Sequence, residues 1–186
     1  MPKIAVVVGS VRPGRVTREV AEWVHKSAAA RTTAAAYELV DLAEYDLPAY
    51  DEALPPQYGR YEHAHTRRWA EKVAEFDGYV FVTPEYNHSV PAVLKNALDF
   101  VYGEWNDKAA GFVSFGGTGG VRAVEHLRQI AAELRIATVQ AQLALPIALD
   151  FPAYPAFAPG EGRAEELSRV LDQVEAWAGA LAPLRG

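Results

Sequence analysis

Residues 4–17 read Ile4-Ala5-Val6-Val7-Val8-Gly9-Ser10-Val11-Arg12-Pro13-Gly14-Arg15-Val16-Thr17, and the fold turns on them. The unbroken β-branched and alanine run Ile4–Val8 predicts a strand buried on both faces, because a strand with one wet face alternates apolar and polar residues. Such a strand belongs inside a parallel sheet whose two faces are covered by helices. Gly9 and Ser10 stop the run, and a turn-rich stretch carries the chain to Arg15. From Thr17 the period changes, with Val20, Ala21, Val24 and Ala28 recurring at helical spacing. Thr17 is the expected cap of this helix, and Glu19 lies in its first turn, where the helix dipole favours an acid.

Working outward, Ala34–Leu42 reads as a second strand carrying Tyr37, Leu39 and Val40, followed by a long irregular loop, Ala43–Arg60, of the kind that is usually functional. Thr66–Phe76 is helical, Gly78 breaks it, and Tyr79–Thr83 is a third strand. The loop Pro84–Ser89 leads into a helix from Val90 to about Tyr102. Ala109–Phe115 is a fourth strand ending in Gly116-Gly117-Thr118-Gly119-Gly120, then comes a helix to about Arg135 and a fifth strand, Thr138–Leu145. The proline-rich stretch Pro146–Pro159 precedes a closing amphipathic helix, Glu161–Leu181. Five strands alternating with five helices predict an α/β, doubly wound five-stranded parallel sheet, whose ligand lies beyond the carboxyl ends of the strands. Chemistry is therefore expected in the loops after the first, third and fourth strands.

Composition narrows the function. At 186 residues, against about 150 per domain, the expectation is a single domain spanning residues 1–186. Half the residues are hydrophobic and 23% charged, which supports a sizeable core. A net charge of -6, from 24 acidic and 18 basic residues, argues against a nucleic-acid partner. The absence of cysteine excludes disulfides, thiolate-held metal and cysteine nucleophiles, so redox chemistry needs a borrowed cofactor. With no secretory leader and no apolar run near the roughly 18 residues of a membrane span, a cytoplasmic protein is expected.

The first loop offers backbone amides at a helix N-terminus, hydroxyls at Ser10 and Thr17, and nearby arginines, a natural cradle for one phosphate. Gly9 and Gly14 imitate the spacing of a P-loop, but Arg15 and Val16 stand where that motif needs Lys and Ser or Thr, so triphosphate hydrolysis is disfavoured. The dinucleotide spacing G-x-G-x-x-G is also missing. His63 and His65 could begin a metal site but lack a third ligand, and a solvated helix start is favoured; no metal is expected. Trp23, Trp69 and Trp177 fall in helical patterns and read as core or interface packing, whereas Trp105, next to Tyr102, is a candidate wall of the active site. Ser114, His126 and Asp150 do not make a hydrolase, because no G-x-S-x-G elbow surrounds Ser114.

The run PEYNHSVPAVLKNALDF, residues 84–100, resembles the signature of the NADPH-dependent FMN reductase family, flavodoxin-like proteins that include chromate, quinone and azo-dye reductases. Two further segments resemble it in the family's order: GSVRPGRVTREVAEWV, residues 9–24, and VSFGGTGGVRAVEHLRQI, residues 113–130. The resemblance implies a flavodoxin-like sheet of order 2-1-3-4-5, non-covalent FMN, and NADPH, or NADH, as co-substrate reducing a second small-molecule acceptor in ping-pong order. It places Ser10, Arg12, Arg15, Val16 and Thr17 around the FMN phosphate, Pro84, Glu85, Tyr86 and Asn87 along the isoalloxazine, and Gly116 and Gly117 below its pyrimidine edge. Thr17 and Glu19 stand where many members carry Ser and Asn. No side-chain acid or base is obligatory for hydride transfer, so no catalytic residue is nominated. Beside the resemblance, Arg12, Arg15 and Arg18 offer cations for the NADPH 2′-phosphate. The helix start after Gly119 and Gly120 offers positive potential near flavin N1. Family members are usually dimers or dimers of dimers; a homodimer or homotetramer is therefore expected, with the apolar positions Val93, Leu94, Ala97, Leu98 and Val101 facing another subunit. The competing readings are a flavodoxin-type electron carrier and an FMN-free binding module.

Overall fold

The computed structural model describes residues 1–185. Its five strands, β1 (Lys3–Val8), β2 (Ala36–Asp41), β3 (Gly78–Pro84), β4 (Lys108–Gly116) and β5 (Ile136–Pro146), form one sheet of order β2-β1-β3-β4-β5. All pairings are parallel, so the expected topology holds. The helices are α1 (Thr17–Ala29), α2 (Ala64–Ala74), α3 (Ala92–Asp99), α4 (Val121–Glu133), α5 (Ile147–Asp150) and α6 (Arg163–Ala180).

The pleat divides the core into two layers. Ala5 and Val7 of β1, with Tyr79 and Phe81 of β3 and Phe112 of β4, face α2, α3 and α4, where they meet Trp69, Leu94, Leu98 and Leu127. Ile4, Val6 and Val8 face the other way with Val80, Val82 and Val113, against Val20 and Val24 of α1 and Val170 and Val174 of α6. Such two-sided burial is what the continuous apolar runs require, and every residue of β3 and β4 is buried.

One irregularity interrupts the sheet. Ala110 pairs with Thr138 but Phe112 pairs with Gln142, so Val139, Gln140 and Ala141 bulge opposite Gly111 alone. Side chains satisfy the freed backbone: Arg128 donates to the Val139 carbonyl at 2.7 Å and the Gln140 carbonyl at 3.2 Å, and Gln173 Oε1 accepts from the Ala141 amide at 2.9 Å. A Cβ on Gly111 would lie 2.7 Å from both Val170 Cγ1 and Val174 Cγ2, which is how closely α6 rests on the sheet.

Several expectations need correction. Thr17 is the first residue of α1, buried rather than capping; Val16 holds the cap position and no side chain caps the helix. The helix expected over Val90–Tyr102 is shorter, because Pro91 sets its start and its last residue is Asp99, with Phe100 capping the end. Leu94, Ala97, Leu98 and Val101 are buried in the chain's own core, so this stripe is not offered to a second subunit. Trp105 is core, its indole nitrogen donating to the Leu98 carbonyl, and is no wall of the site. Trp177 is 44% exposed, and Trp23 is half-buried edge-on to Phe157. The helix α5 lies in the stretch Pro146–Pro159, read only as proline-rich.

Candidate functional site

The carboxyl ends of β1, β3 and β4 lie side by side, with Val8 paired to Val82 and Pro84 to Phe115, so the three loops that follow share one rim. The first begins at Gly9, whose amide donates to the Val82 carbonyl at 2.9 Å; a Cβ there would approach that oxygen to 2.8 Å, so only glycine lets the loop leave this close to β3. Ser10 is buried, accepts from the Arg12 amide at 3.4 Å, and shares a 3.0 Å hydrogen bond with the Tyr86 hydroxyl. The first amides of α1 have neither an intrahelical acceptor nor a side-chain cap, and α1 begins at this rim.

The three arginines have separate roles. Arg15 Nη2 donates to Asp41 Oδ2 at 2.6 Å and Arg18 Nη1 to the same oxygen at 2.9 Å, while Asp41 Oδ1 accepts from the Ala43 amide at 3.0 Å. Asp41 is buried and needs this company. Bonds to Glu22 and then Asp41 hold the Arg18 guanidinium above its ordinary range. Among the described residues, Arg12 has no carboxylate partner and rests against the hydroxyls of Tyr154, at 3.1 Å, and Tyr86.

The second loop turns tightly. Tyr86 and Ser89 exchange both backbone hydrogen bonds, at 2.9 and 3.1 Å, across Asn87 and His88, which lie at φ of 48° and 76°. Non-glycine residues at both central positions of such a turn carry strain, which is commonest at functional sites. Asn87 and His88 are exposed, with the His88 ring 6.0 Å from His126. Glu85 turns away from the turn. Its carboxylate accepts from Arg122 Nε at 2.6 Å and from the amides of Arg122 and Ala123, so it caps α4. Burial works against that charge, but Arg122 and the amides outweigh burial and hold the carboxyl below its usual range. The positive potential expected from the start of α4 is therefore largely matched by Glu85.

The third loop, Gly117–Gly120, is drawn tight by Ser114 Oγ donating to the Gly119 carbonyl at 2.7 Å. Gly120, at φ of 74°, has Phe115 N and O within 2.9 Å of where a Cβ would stand. At Gly117 a Cβ would meet nothing within 4 Å, which leaves its backbone open to a flat group.

Arg12, Val16, Thr17, Pro84, Glu85, Tyr86 and Gly116 line one cavity of about 250 Å³. Ser10 joins it through Tyr86, whereas Arg15 turns toward Asp41, and Asn87 and Gly117 lie outside the cavity lining. Sequence reasoning missed Phe115, Ile147 and Tyr154, which complete the lining. Tyr154 stood in a proline-rich stretch with no motif, although its position just past the fifth strand put it at the correct end of the sheet. A larger hollow of about 670 Å³, lined by Lys108 and Arg185, lies at the opposite end of β3 and β4, away from these loops.

Residues 2–150 match the model of the NADPH-dependent FMN reductase family. The chain belongs to that family. An NAD(P)H-dependent FMN reductase of Schizosaccharomyces pombe is 44% identical over 149 residues, covering 78% of this chain and 74% of that one. The NAD(P)H-dependent FMN reductase ntnL of Nectria sp is 32% identical over 193 residues, covering 94% and 96%. In fold, the chain resembles FerB, a flavoenzyme NAD(P)H:(acceptor) oxidoreductase from Paracoccus denitrificans, at a TM-score of 0.70 and 24% identity over 95% of this chain and 98% of that chain. As an FMN reductase family member the protein is an oxidoreductase that works with FMN and NAD(P)H. Its site fits that group: uncapped amides and the carboxylate-free Arg12 suit a phosphate, and the open backbone at Gly117 suits a flat ring.

Proposed function

We propose that the protein takes hydride from NADPH, or from NADH, and delivers it in ping-pong order to a small oxidant such as a quinone, an azo compound, free flavin or a metal oxyanion. The observation that carries this reading is the cavity between the three loops, lined mainly by residues of the motifs that resemble the family's. FMN, when bound, supplies two-electron acceptance from nicotinamide and return to the acceptor. The chain's part is to hold and orient. Ser10, Arg12, Val16 and Thr17, with the first amides of α1, bind the phosphate; Pro84, Tyr86 and Asn87 bound the ring, and Gly116 and Gly117 let it approach the backbone. Glu85 positions the second and third loops relative to each other through Arg122 and the start of α4. No side chain is assigned a proton transfer.

The assembly is a homodimer or homotetramer acting in the cytoplasm. Exposed Tyr50, Leu54 and Tyr58 of the long loop supply apolar surface for the subunit contact, in place of the buried α3 stripe. No helix among the described residues is long and apolar enough to cross a membrane.

The deciding experiment is a visible spectrum of protein loaded with FMN, desalted, and treated with NADPH without oxygen. Flavin bands that bleach within seconds support the reductase. Bands that stay under NADPH but bleach with dithionite indicate an electron carrier, and a protein that retains no flavin overturns the reading altogether.

A further inference from the structure

The family match stops at Asp150, and the chain then makes a built strap before α6 begins. Asp150 is fully buried and fastens the base of that strap. Its Oδ1 accepts from the Gly160 amide at 2.9 Å and Arg163 Nε at 3.0 Å, its Oδ2 from Arg163 Nη2 at 3.0 Å, and its carbonyl from the Ala158 amide at 2.9 Å. An aromatic series fixes the interior. Phe151 lies 5.5 Å from Phe115 and 5.2 Å from Phe157, which in turn meets Trp23 of α1 at 5.5 Å. The result is that Tyr154, half exposed, is carried over the phosphate loop, where Arg12 Nη2 donates to its hydroxyl at 3.1 Å.

A tyrosine hydroxyl and a guanidinium that lacks a carboxylate, both on the rim of the cavity, form a donor pair suited to a phosphate monoester. We propose that the strap 151–162 is a fourth wall of the site, and that Tyr154 and Arg12 together grip the terminal phosphate of FMN. This inference rests on the flavin reading above. It adds a contact from outside the three family loops, Tyr154, beside Arg12, which the flavin reading already gives to the phosphate.

The test is titration of the apo-protein with FMN and, separately, with riboflavin, which lacks the phosphate, followed by flavin fluorescence. Wild type, Tyr154→Phe, Arg12→Ala and the double variant are compared. Tyr154→Phe keeps the ring packed on Phe151 and should weaken FMN binding about 3- to 10-fold, Arg12→Ala about tenfold or more, and the double variant by less than the product of the two. Riboflavin affinity should not move. If wild type binds neither ligand, the flavin reading fails and takes this proposal with it. If wild type binds FMN and Tyr154→Phe binds it equally well, the proposal alone is overturned. It is equally overturned if riboflavin affinity falls in step or if the variants bind FMN more tightly.

Discussion

Asp41, at the end of β2, gathers one arginine from the first loop and one from the start of α1. One oxygen receives both Arg15 and Arg18 and the other the Ala43 amide, so two of the three cations that the sequence offers for a nucleotide phosphate are already committed to a buried carboxylate at the end of β2. Arg15→Ala is expected to leave the ratio of kcat/KM for NADPH and NADH unchanged. It should lower stability by about 1–2 kcal/mol in urea unfolding, since Arg18 and Ala43 still serve Asp41. A tenfold change in the nucleotide ratio would instead place Arg15 at the 2′-phosphate. The three loops of the site were legible as motifs, because Gly9, Gly116 and Gly120 mark sharp departures from apolar runs. The partnerships were not. Glu85 with Arg122, and Asp41 with Arg15 and Arg18, join residues far apart in sequence, and no local pattern encodes which guanidinium a buried carboxylate will claim.

At the level of elements, β1 and β3 were readable because a central parallel strand is apolar on both faces, and this leaves a continuous run. Boundaries were less legible where helices end against proline or without a cap, as at Pro91 and Val16. The four-residue α5 was hidden because one turn has no period to read. The bulge of β5 was likewise invisible, since it depends on Arg128 and Gln173 reaching in from two different helices. Gly111, opposite that bulge, is a sensitive point. Gly111→Ala pushes a methyl into Val170 and Val174 and should cost about 2–3 kcal/mol, lowering Tm by roughly 5–10 °C in calorimetry. A Tm within about 2 °C of wild type would mean that α6 slides freely on the sheet.

For the molecule as a whole, the end of the sheet away from the site carries its own electrostatic signature. Lys108 is buried and donates to the Val73 carbonyl at 2.9 Å and the Tyr79 hydroxyl at 3.2 Å; burial, with Arg185 nearby, pushes its ammonium down from 10.5 to about 8. Between those two values the unfolded chain holds a proton that the folded chain has released, so stability rises with pH across that window. Burial of the Tyr37, Tyr61 and Tyr79 phenols pushes their ionisation up, which reverses the trend above about pH 10, where only the unfolded chain loses those protons. Tm should therefore climb from near pH 8 toward pH 10 and fall beyond it, with the full Lys108 contribution on the order of 3 kcal/mol. Lys108→Met should flatten the climb and keep the fall; a variant that climbs as steeply as wild type would remove Lys108 as the cause.

The four tryptophans divide along the same two layers as the core. Trp69, on α2, and Trp105 are sealed in the core layer on the α2 and α3 side, while Trp23 stands on α1 against the strap and Trp177, on α6, is 44% exposed. Each side of the sheet thus carries its own light emitter. A chain with phenylalanine at positions 23 and 177 would report melting of one layer alone, and one with phenylalanine at 69 and 105 would report the other. Overlaid emission curves from the two would show that the sheet and its flanking helices come apart in a single cooperative event.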